Sequence, residues 1–127
     1  MSTFSYQKDM HGVFYPIVEL ILRKGNYISL TTALVDSGAT ISIFKTEVAK
    51  PLNLNIRSGK EIFLHGVGGR IQGYIHELSF EVGQKKVKAP VVFSYEYLVS
   101  VNLLGREGIF KHFRIIFEEK NLRVKLE

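Results

Sequence analysis

The amino-acid sequence predicts an all-β fold, either a barrel or a sandwich. Short runs rich in β-branched and aromatic residues recur along the chain, glycine-containing turns separate them, and few segments have helical spacing. A single domain covering residues 1–127 is expected, because this length suits one core and 46% of the residues are hydrophobic. The sequence contains no internal repeat and no low-complexity segment.

The first third of the chain predicts an arm followed by a hairpin. Residues 1–12 are polar and irregular, which is typical of an N-terminal arm. The β-rich runs 16–23 and 27–35 are separated by residues 24–26, a lysine-glycine-asparagine turn that indicates a hairpin. The second run becomes apolar on both faces as it reaches Asp36, which predicts a strand that runs into the interior.

Residues 61–75 form the most hairpin-like stretch of the sequence, with a glycine-rich turn at 66–69. Before this hairpin, residues 45–54 could hold one helical turn, which Pro51 would interrupt. After the hairpin the apolar positions change from odd to even numbers. A period-two pattern that slips by one position predicts a bulge or a bend near residues 76–77.

The last third of the chain predicts two strands, a short helix and a closing hairpin. Residues 87–93 and 98–105 are apolar runs of strand length, and residues 106–113 have apolar side chains at helical spacing. Residues 113–127 are expected to close the chain as a hairpin around residues 119–121.

The composition narrows the class of protein. The chain contains no cysteine, so disulfides and thiolate metal sites are excluded, which suits a reducing compartment. The four histidines lack ligand spacing, and we expect neither a metal nor another cofactor. The net charge of +5 comes from scattered lysines and arginines, which indicates a nucleic-acid face only weakly. No apolar stretch approaches the ~20 residues of a membrane span and the N-terminus lacks a signal pattern, so we expect a cytoplasmic protein without a membrane or nucleic-acid partner.

The segment TALVDSGATISIF, residues 32–44, places an aspartate directly after an apolar strand and surrounds it with small residues. A carboxylate held close to a core is costly unless it is hydrogen-bonded, paired or used in chemistry. Asp36-Ser37-Gly38 is also a common turn sequence, since these residue types favour Asx turns. The triplet alone therefore leaves an ordinary turn and a functional carboxylate both open.

Three segments taken together resemble the retropepsin-like aspartic proteases, the single-lobe family that includes the retroviral proteases. In style the sequence is most similar to the short bacterial and archaeal members. The segments follow one another in the family's order and span about residues 17 to 120. They are the active-site loop Asp36-Ser37-Gly38-Ala39 with the following Thr40, the flap His65-Gly66-Val67-Gly68-Gly69, and the apolar-apolar-Gly-Arg segment Leu103-Leu104-Gly105-Arg106.

The resemblance implies a closed, barrel-like all-β fold with a flap hairpin over residues 61–75 and one short C-terminal helix. Leu103 and Leu104 would pack behind the active-site loop. The implied activity is that of an aspartic endopeptidase, which hydrolyses peptide bonds in extended segments of a peptide or protein substrate. Hydrolysis by carboxylates needs two of them sharing a proton, one acting as base and the other as acid. Because the chain carries one Asp-Ser-Gly, the resemblance implies a homodimer in which each chain contributes Asp36 to activate a water.

The neighbours of Asp36 have roles that the resemblance suggests. Ser37 would bond across the two-fold axis, although an ordinary turn serine fits as well. Gly38 lets the backbone approach the carboxylate closely, and its amide would hold the carboxylate or a substrate group. Ala39 cannot donate a hydroxyl hydrogen bond to the charged carboxylate, so we expect a pH optimum nearer neutral than in relatives with serine or threonine there.

Arg106 resembles the family's buried structural arginine. In retroviral members this arginine pairs with an aspartate just after the active-site alanine, a position that Thr40 occupies here. We therefore expect Arg106 either to bond the hydroxyl and backbone of Thr40 or to pair with another carboxylate. The candidate carboxylates are Glu47 and Glu107.

The sequence leaves two other functions and one point of architecture open. One alternative is a catalytically silent retropepsin-fold module that binds peptides or only dimerises, and another is a basic β barrel that binds nucleic acid. A dinucleotide-binding loop at residues 66–69 is disfavoured, because the third glycine of that motif would fall at Ile71 and no helix follows. The termini would either interleave between subunits in a shared sheet, as in retroviral relatives, or pair within their own chain.

Overall fold

The computed structural model describes residues 1–66 and 69–127. Strands dominate the fold, and none of the helices in these two ranges has the length and apolar character needed to cross a bilayer. Short 3₁₀ helices lie at Thr46–Leu52, Ile56–Ser58, Phe110–His112 and Glu119–Asn121. The strands are β1 (Ser2–Ser5), β2 (Gln7–Lys8), β3 (Phe14–Tyr15), β4 (Ile17–Lys24), β5 (Tyr27–Val35), β6 (Ser42–Phe44), β7 (Lys60–Gly66), β8 (Gly69–Val82), β9 (Lys85–Phe93), β10 (Leu103–Leu104), β11 (Ile115–Glu118) and β12 (Arg123–Leu126).

One sheet closes on itself to form a barrel. Its strands run in the order β4, β5, β10, β6, β9 and β8, and β8 pairs back onto β4. β7 extends this sheet by pairing with the first half of β8. Neighbouring strands are antiparallel except in the pairs β5–β10 and β6–β9, which are parallel. The predicted all-β fold with a closed barrel is confirmed.

The first predicted hairpin is present as β4 and β5. The two strands pair along their whole length, from Ile17 opposite Leu34 to Lys24 opposite Tyr27. Gly25 has a φ of 58°, a left-handed conformation that glycine adopts without strain in this tight turn. Alternate residues of β4 are buried, and so is the last residue of β5. The hairpin therefore carries the end of β5 into the interior, as its sequence predicts.

β8 is a 14-residue strand that changes partner halfway along. Its first half pairs with β7 and its second half pairs with β9, in registers that contain no bulge. Of the bulge or bend predicted near residues 76–77, the bulge is therefore wrong. The apolar positions change phase because the second half enters the core, where Leu78, Phe80 and Val82 are buried, whereas the first half belongs to a hairpin.

The polar N-terminus is paired into strands, so the irregular arm predicted for residues 1–12 is wrong. β1 pairs with β12, which pairs with β11 to complete a three-stranded sheet, while β2 and β3 form a separate two-stranded ribbon. β1 has a polar sequence because it is an edge strand with alternate residues exposed. Tyr6 is buried, and its hydroxyl donates a 2.6 Å hydrogen bond to Glu119 in the turn of the predicted C-terminal hairpin. The terminal strands thus pair within one chain.

The predictions for residues 98–113 are only partly right. Of the run 98–105, only Leu103–Leu104 is a strand, and most of the residues before it are exposed. The short C-terminal helix predicted over residues 106–113 is present as a single 3₁₀ turn near the end of that range. Gly108 has a φ of 73°, which an α-helix cannot include, so the helical turn begins only after this residue.

The core fills the barrel and supports the strands that lead to Asp36. Phe44 on β6 meets Phe80 on β8 edge to face, with ring centroids 5.9 Å apart. Val35 at the end of β5 is buried beside Leu104 on β10. Large side chains that are fully buried are those of Phe44, Phe80, Phe93, Leu22, Leu52, Leu104, Ile109 and Leu126.

Candidate active site

Asp36 is the first residue after β5 and lies where three segments of the chain meet. Its backbone N–H donates to the carbonyl of Leu104 on β10 at 3.1 Å. The N–H of Val35 donates to the carbonyl of Pro16, just before β4, at 2.9 Å. Asp36 itself is half-buried. The end of β5 is therefore fixed from both sides, which gives the Asp36 carboxylate a defined position.

A tight turn holds one oxygen of the Asp36 carboxylate. The N–H of Gly38 donates to Oδ1 at 2.9 Å, and the N–H of Ala39 donates to the Asp36 carbonyl at 3.1 Å. A Cβ atom at position 38 would lie 3.2 Å from Oδ1, which is a tight contact. Among the described residues Oδ2 has no hydrogen-bond partner. The Asx turn that the triplet favours is thus present, and it leaves the second carboxylate oxygen available.

The residues around this turn differ in what they offer the carboxylate. Ser37 and Thr40 are exposed, and within the two described ranges neither hydroxyl bonds another residue of the chain. Ala39 is half-buried and has no hydroxyl to donate. The backbone amide of Gly38 is therefore the donor that this chain supplies to the Asp36 carboxylate, as far as its structure is described.

β10 runs behind the Asp36 turn, between β5 and β6. Leu103 lies opposite Leu34 on β5 and opposite Ile43 on β6. Leu104 is buried beside Val35, whereas Leu103 is half-buried. Both leucines therefore pack against the strands that flank the turn.

Gly105 follows β10 at a close approach of two backbone segments. A Cβ atom there would lie 2.5 Å from the backbone carbonyl carbon of Ile41, a distance that ordinary contacts do not reach. The N–H of Gly105 donates to the hydroxyl of Ser42, which is fully buried, at 3.0 Å. Only glycine fits at this position, because a backbone segment cannot move aside as the end of a flexible side chain can.

Arg106 joins the Asp36 loop through its backbone rather than its side chain. The N–H of Arg106 donates to the carbonyl of Ala39 at 2.9 Å, and the N–H of Glu107 donates to the carbonyl of Thr40 at 2.8 Å. The Arg106 side chain is exposed, and within the described residues it forms no ion pair or hydrogen bond. The expectation of a buried arginine paired with Thr40, Glu47 or Glu107 is therefore wrong. Position 40 is a threonine, so it offers no carboxylate with which a buried Arg106 side chain could pair. Glu47 pairs with Lys45 instead, at 3.0 Å.

The hairpin predicted over residues 61–75 is formed by β7 and β8. The two strands pair along the whole of β7, up to Gly66 opposite Gly69. Val67 and Gly68, which complete the predicted flap tip, lie outside the described residues. The hairpin extends from the barrel, because β7 pairs with no described strand other than β8.

Asn102 is a buried polar residue that sequence reasoning did not select. Its side-chain amide donates to the carbonyl of Thr32 at 2.9 Å and to the hydroxyl of Thr31 at 3.1 Å, both on β5. Its side-chain oxygen accepts from the N–H of Lys45 at 2.8 Å, and its carbonyl accepts from the N–H of Leu34 at 2.8 Å. Asn102 thereby fixes the chain on both sides of the active-site loop. The available signal was an asparagine inside the apolar run that contains β10.

Sequence reasoning also missed Ser94–Tyr97, which we call the clamp segment. It follows β9, and two of its side chains bond the backbone of Gln72 in β8. Burial and the charge of the nearby Asp36 raise the pKa of Tyr97 to about 12, and its hydroxyl donates to the carbonyl of Val101 at 2.6 Å. No sequence pattern selects this segment, because its partners are distant along the chain.

Comparison with protein families agrees with this geometry. A family model described as aspartyl protease matches residues 26–107, which is more than half of the chain. The matched range contains the Asp36 turn, the β7–β8 hairpin and β10. Among curated proteins, none matches the chain. The fold and the family match together define the class of the protein as a hydrolase of the protease type.

The chain belongs to the aspartyl protease family, and its closed barrel is of the retropepsin-like type. The Asp-Ser-Gly triplet occurs once in the sequence, and it lies inside the matched range. Family membership thus supports a protease-type function for a chain that carries a single such triplet.

Proposed function

We propose that the protein is an aspartic endopeptidase that works as a homodimer, with Asp36 of each chain as the catalytic carboxylate. The observation that carries the proposal is the partly held carboxylate, in which Gly38 binds Oδ1 and Oδ2 has no partner among the described residues. A carboxylate fixed through one oxygen keeps its orientation while the other oxygen can exchange a proton. This arrangement suits the chemistry of the family to which the chain belongs.

A second chain would supply the second carboxylate that the proposed mechanism needs. Hydrolysis by carboxylates needs two of them close together, and the sequence contains one Asp-Ser-Gly. A two-fold axis beside the Asp36 turn would bring the same turn of both chains into contact. Ser37, which is exposed next to Asp36, would then bond across the axis and lock the two turns together.

In the dimer the two Asp36 carboxylates share one proton, because two adjacent negative charges repel. The ionised carboxylate takes a proton from a bound water, and the water oxygen forms a bond to the carbonyl carbon of the substrate. At the same time the protonated carboxylate gives its proton to the carbonyl oxygen. The carboxylate that took the water's proton then gives it to the departing nitrogen as the C–N bond breaks. The other carboxylate takes back a proton from a hydroxyl of the tetrahedral intermediate as the C=O bond re-forms, so the pair again holds one proton. These steps use the carboxylate pair and water, without a metal or another cofactor.

The substrate class is an extended segment of a peptide or protein. We place it between the Asp36 turn and the β7–β8 hairpin, whose residues Gly66, Val67, Gly68 and Gly69 would act as the flap. An extended segment suits this place because its backbone can pair with that of a strand edge, and β7 is such an edge. A hairpin over the scissile bond also excludes bulk water. Because Ala39 offers no hydroxyl to the carboxylate, we expect a pH optimum nearer neutral than in relatives with serine or threonine at this position.

Digestion of a peptide library with the wild type and with Asp36→Asn tests this proposal. The amide keeps the shape of the side chain but cannot act as a base or share the proton, so cleavage should fall by roughly 10³-fold or more. Asp9→Asn is the matched control, because Asp9 is the other aspartate of the chain and caps a turn in the N-terminal ribbon. It should leave cleavage unchanged.

Equal cleavage by the wild type and by Asp36→Asn would remove Asp36 from the mechanism. Peptide binding by the wild type without cleavage at any pH would instead identify a catalytically silent binding module. The same library, labelled for binding, distinguishes these two outcomes.

A further inference from the structure

β8 continues beyond the point where its neighbour β9 ends. The two strands pair as far as Tyr74 opposite Phe93, and the ladder stops there. Nearer the start of β8, beyond the end of this ladder, side chains of the clamp segment bond the backbone of Gln72. The Ser94 hydroxyl donates to the Gln72 carbonyl, and the Glu96 carboxylate accepts from the Gln72 N–H at 2.6 Å. Side chains therefore take the place of the missing strand at the root of the β7–β8 hairpin.

Contacts around the clamp segment hold Glu96 in place. The N–H of Glu96 donates to the hydroxyl of Ser94 at 3.1 Å, so the two side chains that bond Gln72 are themselves linked. Ser94 is buried. The ring of Tyr95 lies 4.6 Å from the guanidinium of Arg57, in a cation–π contact. The position of Glu96 is therefore supported by the two residues directly before it.

The clamp segment also reaches the surroundings of Asp36. Tyr97 follows Glu96 directly, and its hydroxyl donates to the carbonyl of Val101, which leads into β10 behind the Asp36 turn. Burial, and to a smaller extent the charge of the nearby Asp36, raises the pKa of the Tyr97 phenol to about 12. One short segment thus links the root of the hairpin to the candidate catalytic carboxylate.

We propose that Glu96 is a positioning residue that fixes the root of the β7–β8 hairpin relative to the Asp36 turn. A charged acceptor forms a stronger hydrogen bond with a backbone N–H than a neutral one does. Between Gln72 and its described end at Gly69, β8 pairs with β7 alone. Among the described residues, the bonds of the clamp segment to Gln72 are therefore the hydrogen bonds between β8 and the barrel that lie nearest the hairpin tip. The consequence for cleavage rests on the proposed function, in which this hairpin covers the substrate.

Hydrogen exchange of the Gln72 amide, followed by NMR on the full chain, tests the clamp directly. Glu96→Ala removes the acceptor and should speed exchange about tenfold or more, because a hydrogen bond to a charged group stabilises by this order. Glu96→Gln keeps an acceptor at the same reach but loses the charge, so its exchange should be slower than that of Glu96→Ala and within about fivefold of the wild type. Glu96→Asp keeps the charge but is one methylene shorter, and it should behave like Glu96→Ala.

Glu61→Ala is the matched control. The Glu61 carboxylate accepts from the side-chain amide of the same Gln72 at 2.6 Å, and not from its backbone. This variant should therefore leave exchange of the Gln72 backbone amide unchanged. Equal exchange in Glu96→Ala and the wild type, or equal acceleration by Glu61→Ala, would overturn the proposal. Glu96 is exposed, and if Glu96→Ala does not fold, the comparison of Glu96→Gln with Glu96→Asp decides the question in the same way.

The expected effect on cleavage is a change in KM rather than in kcat. If the hairpin spends less time in the position that binds substrate, the apparent affinity falls in proportion while the chemistry at Asp36 is unchanged. We expect KM to rise about tenfold in Glu96→Ala with kcat within about twofold of the wild type, and Glu96→Gln to restore KM. A fall in kcat at unchanged KM would contradict the positioning role.

The two proposals fail in different ways. Failure of the proposed function appears as equal cleavage by the wild type and Asp36→Asn. Failure of the clamp appears as unchanged exchange at Gln72 in Glu96→Ala. The exchange measurement needs no cleavage, so each result can be read without the other.

Discussion

Two glycines shape the surroundings of Asp36 in different ways. At position 38 the glycine amide donates to the carboxylate, and a side chain there would meet a carboxylate oxygen at 3.2 Å. At position 105 a side chain would meet the backbone of Ile41 at 2.5 Å. A side-chain oxygen can move by a few tenths of an ångström, whereas a backbone paired into a barrel cannot. Gly105 is therefore the stricter requirement, and it sets how closely β10 approaches the loop.

Gly105→Ala should lower the free energy of unfolding by about 1–3 kcal/mol, because the added methyl group strains two backbone segments that have little room to separate. Urea unfolding followed by circular dichroism measures this change. Ser100→Ala, at an exposed position of the preceding loop, is the control and should stay within about 0.5 kcal/mol of the wild type. An unchanged unfolding midpoint for Gly105→Ala would contradict the close packing behind the Asp36 turn.

At the scale of elements, the terminal sheet depends on ion pairs as well as on strand pairing. Glu118 on β11 lies opposite Arg123 on β12 and bonds its guanidinium, and Lys125 lies 3.5 Å away. The hydrogen bond from Arg123 is the main reason why the pKa of Glu118 lies below its ordinary value of 4.5. In the barrel, Arg23 likewise lowers the pKa of Glu81 through a 2.6 Å hydrogen bond. Because both carboxylates are stabilised in their charged form, the free energy of unfolding should fall at acid pH.

Acid should therefore weaken the terminal sheet. A carboxylate whose pKa is lower in the folded state stabilises that state above its unfolded pKa near 4.5, and this contribution is lost as the pH falls through the folded value. Thermal unfolding from about pH 6 to about pH 3 should show the wild-type Tm falling more steeply below pH ~4.5 than the Tm of Glu118→Gln. Added salt should reduce the difference, because the pair is partly exposed.

Glu77→Gln is the control for this measurement. Glu77 is exposed and has no ion pair within the described residues, so its variant should follow the wild-type curve. Parallel curves for the wild type and Glu118→Gln would show that the pair with Arg123 does not contribute to acid stability.

At the scale of the whole molecule, the barrel and the terminal sheet form within one chain, whereas the proposed chemistry needs two chains. β1, β12 and β11 already form a sheet within one chain, so folding of the termini does not require strand exchange with a partner. In the proposed mechanism, the second carboxylate comes from a partner chain. Each chain carries a net charge of +5, so two copies repel at low salt and associate more readily when salt screens them.

Mixing the wild type with Asp36→Asn at constant total concentration should reveal a shared site. When half of the chains carry the substitution, about a quarter of the random dimers hold two intact carboxylates, so activity should fall to about a quarter. A site contained within one chain would keep about half. Sedimentation at moderate salt provides the control, since a chain that stays a monomer at high concentration would rule out the shared site.

The features that the sequence predicted correctly are those encoded locally. The turn at Gly25 and the residues beside it specify the β4–β5 hairpin, and the C-terminal hairpin has a turn of the same local kind. The Asp36 turn is also local, because its donors lie within three residues of the carboxylate. The partner change of β8 was misread as a bulge because a change of apolar phase does not say which strand lies alongside.

The sequence by itself determined the all-β class, the hairpins and the aspartate that follows an apolar strand, because period-two patterning and turn residues act between near neighbours. Only the tertiary structure decided that β8 closes the barrel onto β4, that Arg106 remains exposed, and that Glu96 bonds the backbone of Gln72. Each of these depends on which distant segments come together, since the free energy of a hydrogen bond or a buried contact is gained only when both partners arrive at the same place.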